Sequence, residues 1–239
     1  MPIAILSSMD QEIRAVESEL RDPSNREIRG QRFVAGSLRG EEVVTAISGY
    51  GKTGAAATTG AVLAAFDIEA IVFGGVAGGI HTAVKIGDVV VADRLIHHDF
   101  DASPLFAPRV VPSLGRAEIP ADHNLTMRLA SAAAEYLGAA ATTASAEVHL
   151  GLVASGDRFI SNEADAAMLR SSLPEVLAVE MEGAAVAQVC AERNVPFAVF
   201  RSISDRADQD AESDFTTFIE TVAAPLTAGV IGRFLSGLS

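Results

Sequence analysis

The feature that most constrains this chain is a recurring one. Ile3–Ser7, Ala70–Phe73, Leu150–Ala154, Val176–Val179 and Pro196–Ile203 are short and almost wholly apolar. Runs of this kind suit strands buried on both faces of a sheet. Helix-compatible segments separate them: Asp10 to Leu20, the alanine-rich stretch to Phe66, Asn124–Leu137, Glu163–Ser171 and the residues after Glu182. Alternating strands and helices imply one α/β domain spanning 1–239, a three-layer α/β/α sandwich with helices on both faces of a central sheet. An early hairpin, Arg32–Leu38 with Glu42–Ser48 joined at Arg39-Gly40, makes that sheet mixed.

Local signals set the finer expectations. Ser7 and Ser8 are placed to cap the first helix and Pro23 to end it. Gly49 to Gly54 reads as a turn before the second helix, and Gly74 to Gly79 as a loop after a strand. Val89–Ala92 reads as a further strand. His97–Glu118, with prolines at 104, 108 and 112, is too long for an ordinary connection and is expected to be functional or interface-forming. Gly138 is a plausible helix stop, and Pro225 is expected to kink a terminal helix over Phe215–Leu235.

Composition narrows the partners. With 49% hydrophobic and 21% charged residues the chain can bury a full core. A net charge of −13 argues against nucleic acid or an anionic membrane as partner, since both need a basic face. No apolar run approaches the ~18 residues of a membrane span, and the N-terminus lacks a basic leader, so the expected location is cytoplasmic. Cys190 is the only cysteine, which removes internal disulfides and Cys-based zinc sites.

Three motif matches fail on context. Gly49 to Gly54 fits G-x-G-x-x-G, but Asp67 and Glu69 precede the next strand instead of ending it, so the ribose-binding acid of a dinucleotide site is missing. Gly51-Lys52-Thr53 resembles the end of a Walker loop, yet Ala46 stands where its first glycine belongs. His97, His98, Asp99 and Asp101 lack a spaced partner for a metal and are expected to have a loop role.

The acids are more informative. Glu180 and Glu182 interrupt Ala178–Val189, a stretch that otherwise asks to be buried. Either they open a helix and complement its dipole, or they floor an active site. Glu12 and Asp205 also follow predicted strands, so the four can converge where strands end. Taken alone, Asp205 reads equally as a turn former or helix cap.

Together these residues resemble a known family. Met9-Asp10-Gln11-Glu12, Ser48 to Lys52, Ala77-Gly78-Gly79, Lys85 to Asp88 and His98-Asp99 are followed by Ser155 to Ile160, Val179 to Glu182 and Arg201 to Asp205. This series resembles the 5′-methylthioadenosine/S-adenosylhomocysteine nucleosidases of the nucleoside phosphorylase superfamily. The resemblance implies a nucleoside-phosphorylase-like fold, a small purine nucleoside as substrate, no cofactor or metal, and a homodimer. It also implies roles. Asp205 would protonate purine N7 with Ser204 placing it, and Glu12 would activate water aided by Arg201. Glu182 would hold the ribose diol. Met9 and Met181 would line the sugar, with Val76, Ala77 and Gly78 in the adjoining loop. Phe159 would stack on the purine while the backbone at Ile160 reads its edge. Glu180 would support the base side, and Phe215 would close over the pocket.

A carboxylate at position 12 repels phosphate, which favours hydrolysis over phosphorolysis. Two residues depart from the family pattern: Val76 replaces a usual serine, and Tyr50 a smaller apolar residue. Ser103, Leu105 and Phe106 are candidates for a lid offered to a partner subunit. The alternatives are a purine nucleoside phosphorylase, a hydrolase of another purine nucleoside such as futalosine, and a non-catalytic nucleoside-binding or storage relative.

Overall fold

The computed structural model describes residues 1–139, 146–207, 215 and 218–238. Its elements in order are β1 (Ile3–Ser7), α1 (Asp10–Glu17), β2 (Arg21–Ile28), β3 (Gln31–Leu38), β4 (Glu41–Ile47) and α2 (Lys52–Ala65). Next come β5 (Ala70–Phe73), β6 (Val76–Gly79), β7 (Val89–His97), β8 (Glu118–Pro120), α3 (His123–Ala139) and β9 (Val148–Ser155). The chain continues through α4 (Glu163–Ser172), β10 (Val176–Glu180), α5 (Gly183–Arg193), β11 (Phe197–Asp205), a π-helical turn at Ile219–Ala223 and α6 (Ala224–Ser236).

The strands form one mixed 11-stranded sheet in the order β2-β3-β4-β1-β5-β11-β6-β10-β9-β7-β8. The sandwich layers are as expected. Helices α2 and α5 pack on each other over one face, and α1 and α3 pack against α6 over the other. What the alternation of elements does not foretell is that the sheet closes on itself. β11 runs parallel to β5 at Phe197–Val199 and then to β6 from Ser202, while its other edge pairs antiparallel with β7. The ring β11-β6-β10-β9-β7 leaves no open edge at the centre, and every residue of β11 is buried. This closure brings the end of β10 against the middle of β11, and so gathers side chains from strands that run in opposite directions.

Several local expectations are corrected. Helix α1 ends at Glu17, well before Pro23, which sits instead in an edge strand, β2, at the register shift between Arg21 and Ser24. Proline is tolerated there because an edge or bulge needs no ladder donor. All of β2 is exposed, so it lacks the inward apolar residues that would reveal it. Val76–Gly79 is a strand, not a loop, and β7 runs on to His97. Helix α3 passes through Gly138. Pro225 produces no simple kink; it occupies the first turn of α6, where a missing N–H costs nothing, directly behind the π turn. Of the expected terminal helix, residues 216 and 217 lie outside the described ones. Among the described residues no helix is long and apolar enough to cross a membrane.

Candidate active site

A cleft opens where β6, β10 and β11 meet, lined among others by Met9, Tyr50, Val76, Phe159, Glu182, Asp205 and Phe215. Ala77, Gly78, Ile160, Glu180, Met181 and Ser204 line it as well, as expected. Glu12 and Arg201 do not reach its surface. They are buried beneath it, at 0% and 1% exposure.

The two acids of the central stretch divide the readings between them. The Glu180 carboxylate accepts from the amides of Glu182 (3.1 Å) and Gly183 (2.8 Å), so it caps α5 from two residues before the cap position. It also binds the Ser155 hydroxyl and the Arg201 guanidinium, with Nη2 at 2.6 Å and Nε at 3.2 Å. Ser155 Oγ in turn accepts from the Ala184 amide at 2.7 Å. Glu180 thus lines the cleft while its carboxylate holds Arg201 and the start of α5. Arg201 is completed by the Phe73 ring, whose centroid lies 4.2 Å from the guanidinium carbon.

Glu182 lines the cleft as well, with fewer of its acceptors engaged. Its Oε1 accepts from the Gly51 amide at 2.7 Å. Burial, followed by repulsion from Glu180, pushes its pKa up to about 7 against the pull of the Gly51 amide and Arg201. The glycine-rich turn therefore serves the site without being a phosphate loop. Gly51 at φ +86° aims its N–H at Glu182, and Lys52 ties the turn to Asp99 (2.5 Å) and, through its amide, to Asp157 (2.8 Å). Asp99 also receives the Asp157 amide. His97 bonds Gln188, and among the described residues no three acidic, His or Cys side chains gather for a metal.

Asp205 ends β11. Its Oδ1 accepts from the Ala207 amide (2.8 Å) and its Oδ2 from Ser204 Oγ (2.7 Å). Ser204 Oγ also lies 3.4 Å from the Ala77 carbonyl. A hydroxyl that can donate either way suits an acid that changes protonation state: it donates to the carboxylate, or turns to Ala77 and accepts from the carboxylic acid. Gly78 of β6 and Gly75 just before it make this approach possible. A Cβ on Gly78 would stand 2.9 Å from Asp205 Oδ1, and one on Gly75 would stand 2.9 Å from Arg201 Nη1.

Glu12 sits between two hydroxyls, Ser7 Oγ donating to Oε2 (2.5 Å) and Thr227 Oγ1 to Oε1 (2.9 Å). Ser7 does not cap α1; its Oγ accepts from the Met9 amide (3.2 Å) and donates its hydroxyl hydrogen bond to Glu12. Burial raises the Glu12 pKa, opposed by the two hydroxyls and by the field of Arg201. Sequence reading gave Ser7 only a capping role, named Ser155 in a family motif without a role, and missed Thr227 altogether. The first two end strands beside known acids, which is a readable signal. Thr227 carries none, because it is 215 positions away from its partner.

At the mouth, Phe159 and Phe215 meet edge to face with centroids 5.7 Å apart. Val76 packs with Met9, Phe218 and Ile219 in a small apolar cluster. Leu105 and Phe106 stand exposed, at 83% and 42%.

A cleft lined by Glu182 and Asp205, on a mixed α/β sheet that closes on itself, defines a class. The chain belongs to the phosphorylase superfamily, whose family model matches residues 2–236. Within it, the chain is 34% identical over 236 residues to the 5′-methylthioadenosine/S-adenosylhomocysteine nucleosidase of Marinomonas sp., covering 98% of each. Its fold matches the Neisseria meningitidis nucleosidase of that name, solved with methylthio-immucillin-A, at TM-score 0.90 and 33% identity over 99% of each chain. A futalosine hydrolase mutant of Helicobacter pylori matches at TM-score 0.88 and 31% identity, again over 99% of each.

Proposed function

We propose that this protein hydrolyses the N-ribosidic bond of 5′-methylthioadenosine and S-adenosylhomocysteine and releases adenine, without a cofactor. The observation that carries the reading is the placing of Asp205 and Glu182 on one cleft with Glu12 beneath it. Breaking this bond builds positive charge on the sugar, as in other glycosyl transfers. Asp205 donates a proton to purine N7 so that the base departs neutral, and Ser204 takes up the change in hydrogen bonding. Glu12 takes a proton from the attacking water. Glu182, half ionised near neutral pH, becomes a full acceptor when two ribose hydroxyls donate to it. Phe159 stacks on the purine. Met9 and Met181 cover the sugar, and Val76 replaces a hydroxyl with an apolar wall.

The charge of the cleft supports hydrolysis over phosphorolysis. Among the described lining residues Arg158 is the cation, and it is bonded to Asp165; Arg201 lies below and is bonded to Glu180. Neither is placed to receive phosphate beside Glu12. The exposed Leu105 and Phe106, with Ser103, support a dimer in which one subunit caps the partner's cleft.

Chromatography of the products tests the proposal, with methylthioadenosine, adenosylhomocysteine, adenosine and futalosine offered with and without phosphate. Adenine should appear from the first two at a rate indifferent to phosphate, and Asp205→Asn should lose roughly a thousandfold in kcat. Phosphate-dependent release, or faster release from futalosine, would replace this reading with one of its alternatives. Nucleoside binding with no base released from any substrate would make the protein a binding relative.

A further inference from the structure

The C-terminal helix is the last element in the chain, yet it delivers a buried polar atom to the deepest carboxylate of the site. Thr227 is 1% exposed, and its hydroxyl donates to Glu12 Oε1 at 2.9 Å. In a helix, threonine hydroxyls commonly turn back to their own carbonyls. This one instead crosses to α1. Its methyl group is fixed too: a Cβ on Gly74 would stand 3.3 Å from Thr227 Cγ2 and 2.8 Å from the Phe200 ring, so the bare Gly74 keeps the slot in which Thr227 sits. The register of α6 is equally constrained. The π turn at Ile219–Ala223 holds an extra residue before Pro225, and a shift of one residue would swing Thr227 by about 100° away from Glu12.

We propose that Thr227 is a positioning residue for Glu12: it holds the carboxylate ionised and fixed in orientation, so that α6 is a working part of the water side of the site. The inference rests on the reading of Glu12 as the base. Two neutral hydroxyls donate to the carboxylate, Ser7 from β1 and Thr227 from α6. The charged group acting on it is Arg201 of β11, itself bonded to Glu180 of β10. Burial opposes ionisation, so each donor that favours the charged form counts. Losing one should move the group upward and leave less of the base ionised at neutral pH. The Val76 wall on the same side of the cleft offers no replacement donor.

The test compares Thr227→Val, which keeps shape and removes the hydroxyl, with Thr227→Ser, which keeps the hydroxyl. For each, kcat and KM for methylthioadenosine are measured across pH, with a thermal melt. Thr227→Val should move the acid limb of kcat up by about one pH unit, so that kcat falls roughly tenfold at pH values below the limb and by less at neutral pH. KM should change less than about twofold. Thr227→Ser should restore the wild-type profile to within about twofold. An acid limb that stays in place in Thr227→Val, or a serine variant as impaired as the valine one, overturns the proposal and leaves Thr227 a packing residue. If the valine variant does not fold, Thr227→Ala is judged by the same shift of the limb. Glu12→Gln separates the two layers. If it keeps activity, the reading of Glu12 as base fails; if it is inactive while Thr227→Val is unchanged, only the present inference falls.

Discussion

The floor of the cleft and its rim are built on different terms. On the floor, Glu12, Glu180, Arg201, Ser204 and Asp205 are almost wholly withdrawn from water and bonded to Ser7, Ser155, Thr227 and backbone amides. On the rim, Tyr50 is 66% exposed and Phe159 43%, and the contacts are mainly those of ring on ring. Burying ions is costly unless each has partners, so the floor tolerates little change, whereas the rim can vary without consequence for folding. If the proposed function holds, reaction type is set by residues that also hold the sheet together, and substrate preference by residues that do not. Tyr50 and Val76, the two departures from the family pattern, both line the cleft beside the fixed acids.

The sharpest way to break this contrast is to remove one floor ion. Arg201→Met leaves Glu180 buried without its counter-ion, and losses of about 3–5 kcal/mol are typical of such a deletion. A fall in melting temperature of roughly 10 °C should follow. Changing Glu180→Gln as well should recover part of it, because the stranded charge is gone. Were the single variant to melt within about 2 °C of the wild type, the floor would not be the coupled network described.

How much of this was legible depends on which residues carry their own signal. The strands β1, β5 and β11 are apolar runs buried as expected, β10 is buried except at half-buried Leu177, and β9 only from Gly151 onward, Leu150 being 45% exposed; Glu12, Glu182 and Asp205 stand at or just after strand ends. The edge strand β2 was not legible, because none of its residues points into a core. Strand β6 hid behind the glycines in and before it, of which Gly78 leaves room for Asp205 and Gly75 for Arg201. Roles that depend on long-range closure were also invisible: nothing near Thr227 in sequence points to Glu12, and nothing near Gly51 points to Glu182. The ion pair of Glu180 with Arg201 was likewise invisible, because the two meet only through the closed sheet.

Glu182 lies between floor and rim, and it should show mixed behaviour. Its carboxyl is raised from 4.5 to about 7 in the folded chain, so the folded state binds an extra proton between those values. The associated stability is fully present below pH 4.5 and is lost as pH rises through about 7. Glu182→Gln removes the titration. Relative to the wild type, the variant without ligand should gain on the order of 2–3 kcal/mol between about pH 4.5 and pH 8, read as diverging melting temperatures. Parallel melting curves across that range would mean that Glu182 titrates normally and that burial does not govern it.

The rim should answer most mildly. Phe159 is half exposed and touches Phe215 edge to face, so Phe159→Ala opens no buried cavity and should shift the melting temperature by less than about 2 °C. Its loss falls on binding of the purine, where stacking of a base on an aromatic ring is worth about 1–3 kcal/mol. KM should therefore rise roughly tenfold while kcat stays within about threefold, the pattern of an interaction made equally in the ground and transition states. Phe159→Tyr, which keeps the ring, should preserve KM. If Phe159→Ala instead lowers kcat as much as KM rises, the ring is helping Asp205 reach N7. The division between a floor that performs the reaction and a rim that selects the substrate would then fail at this residue.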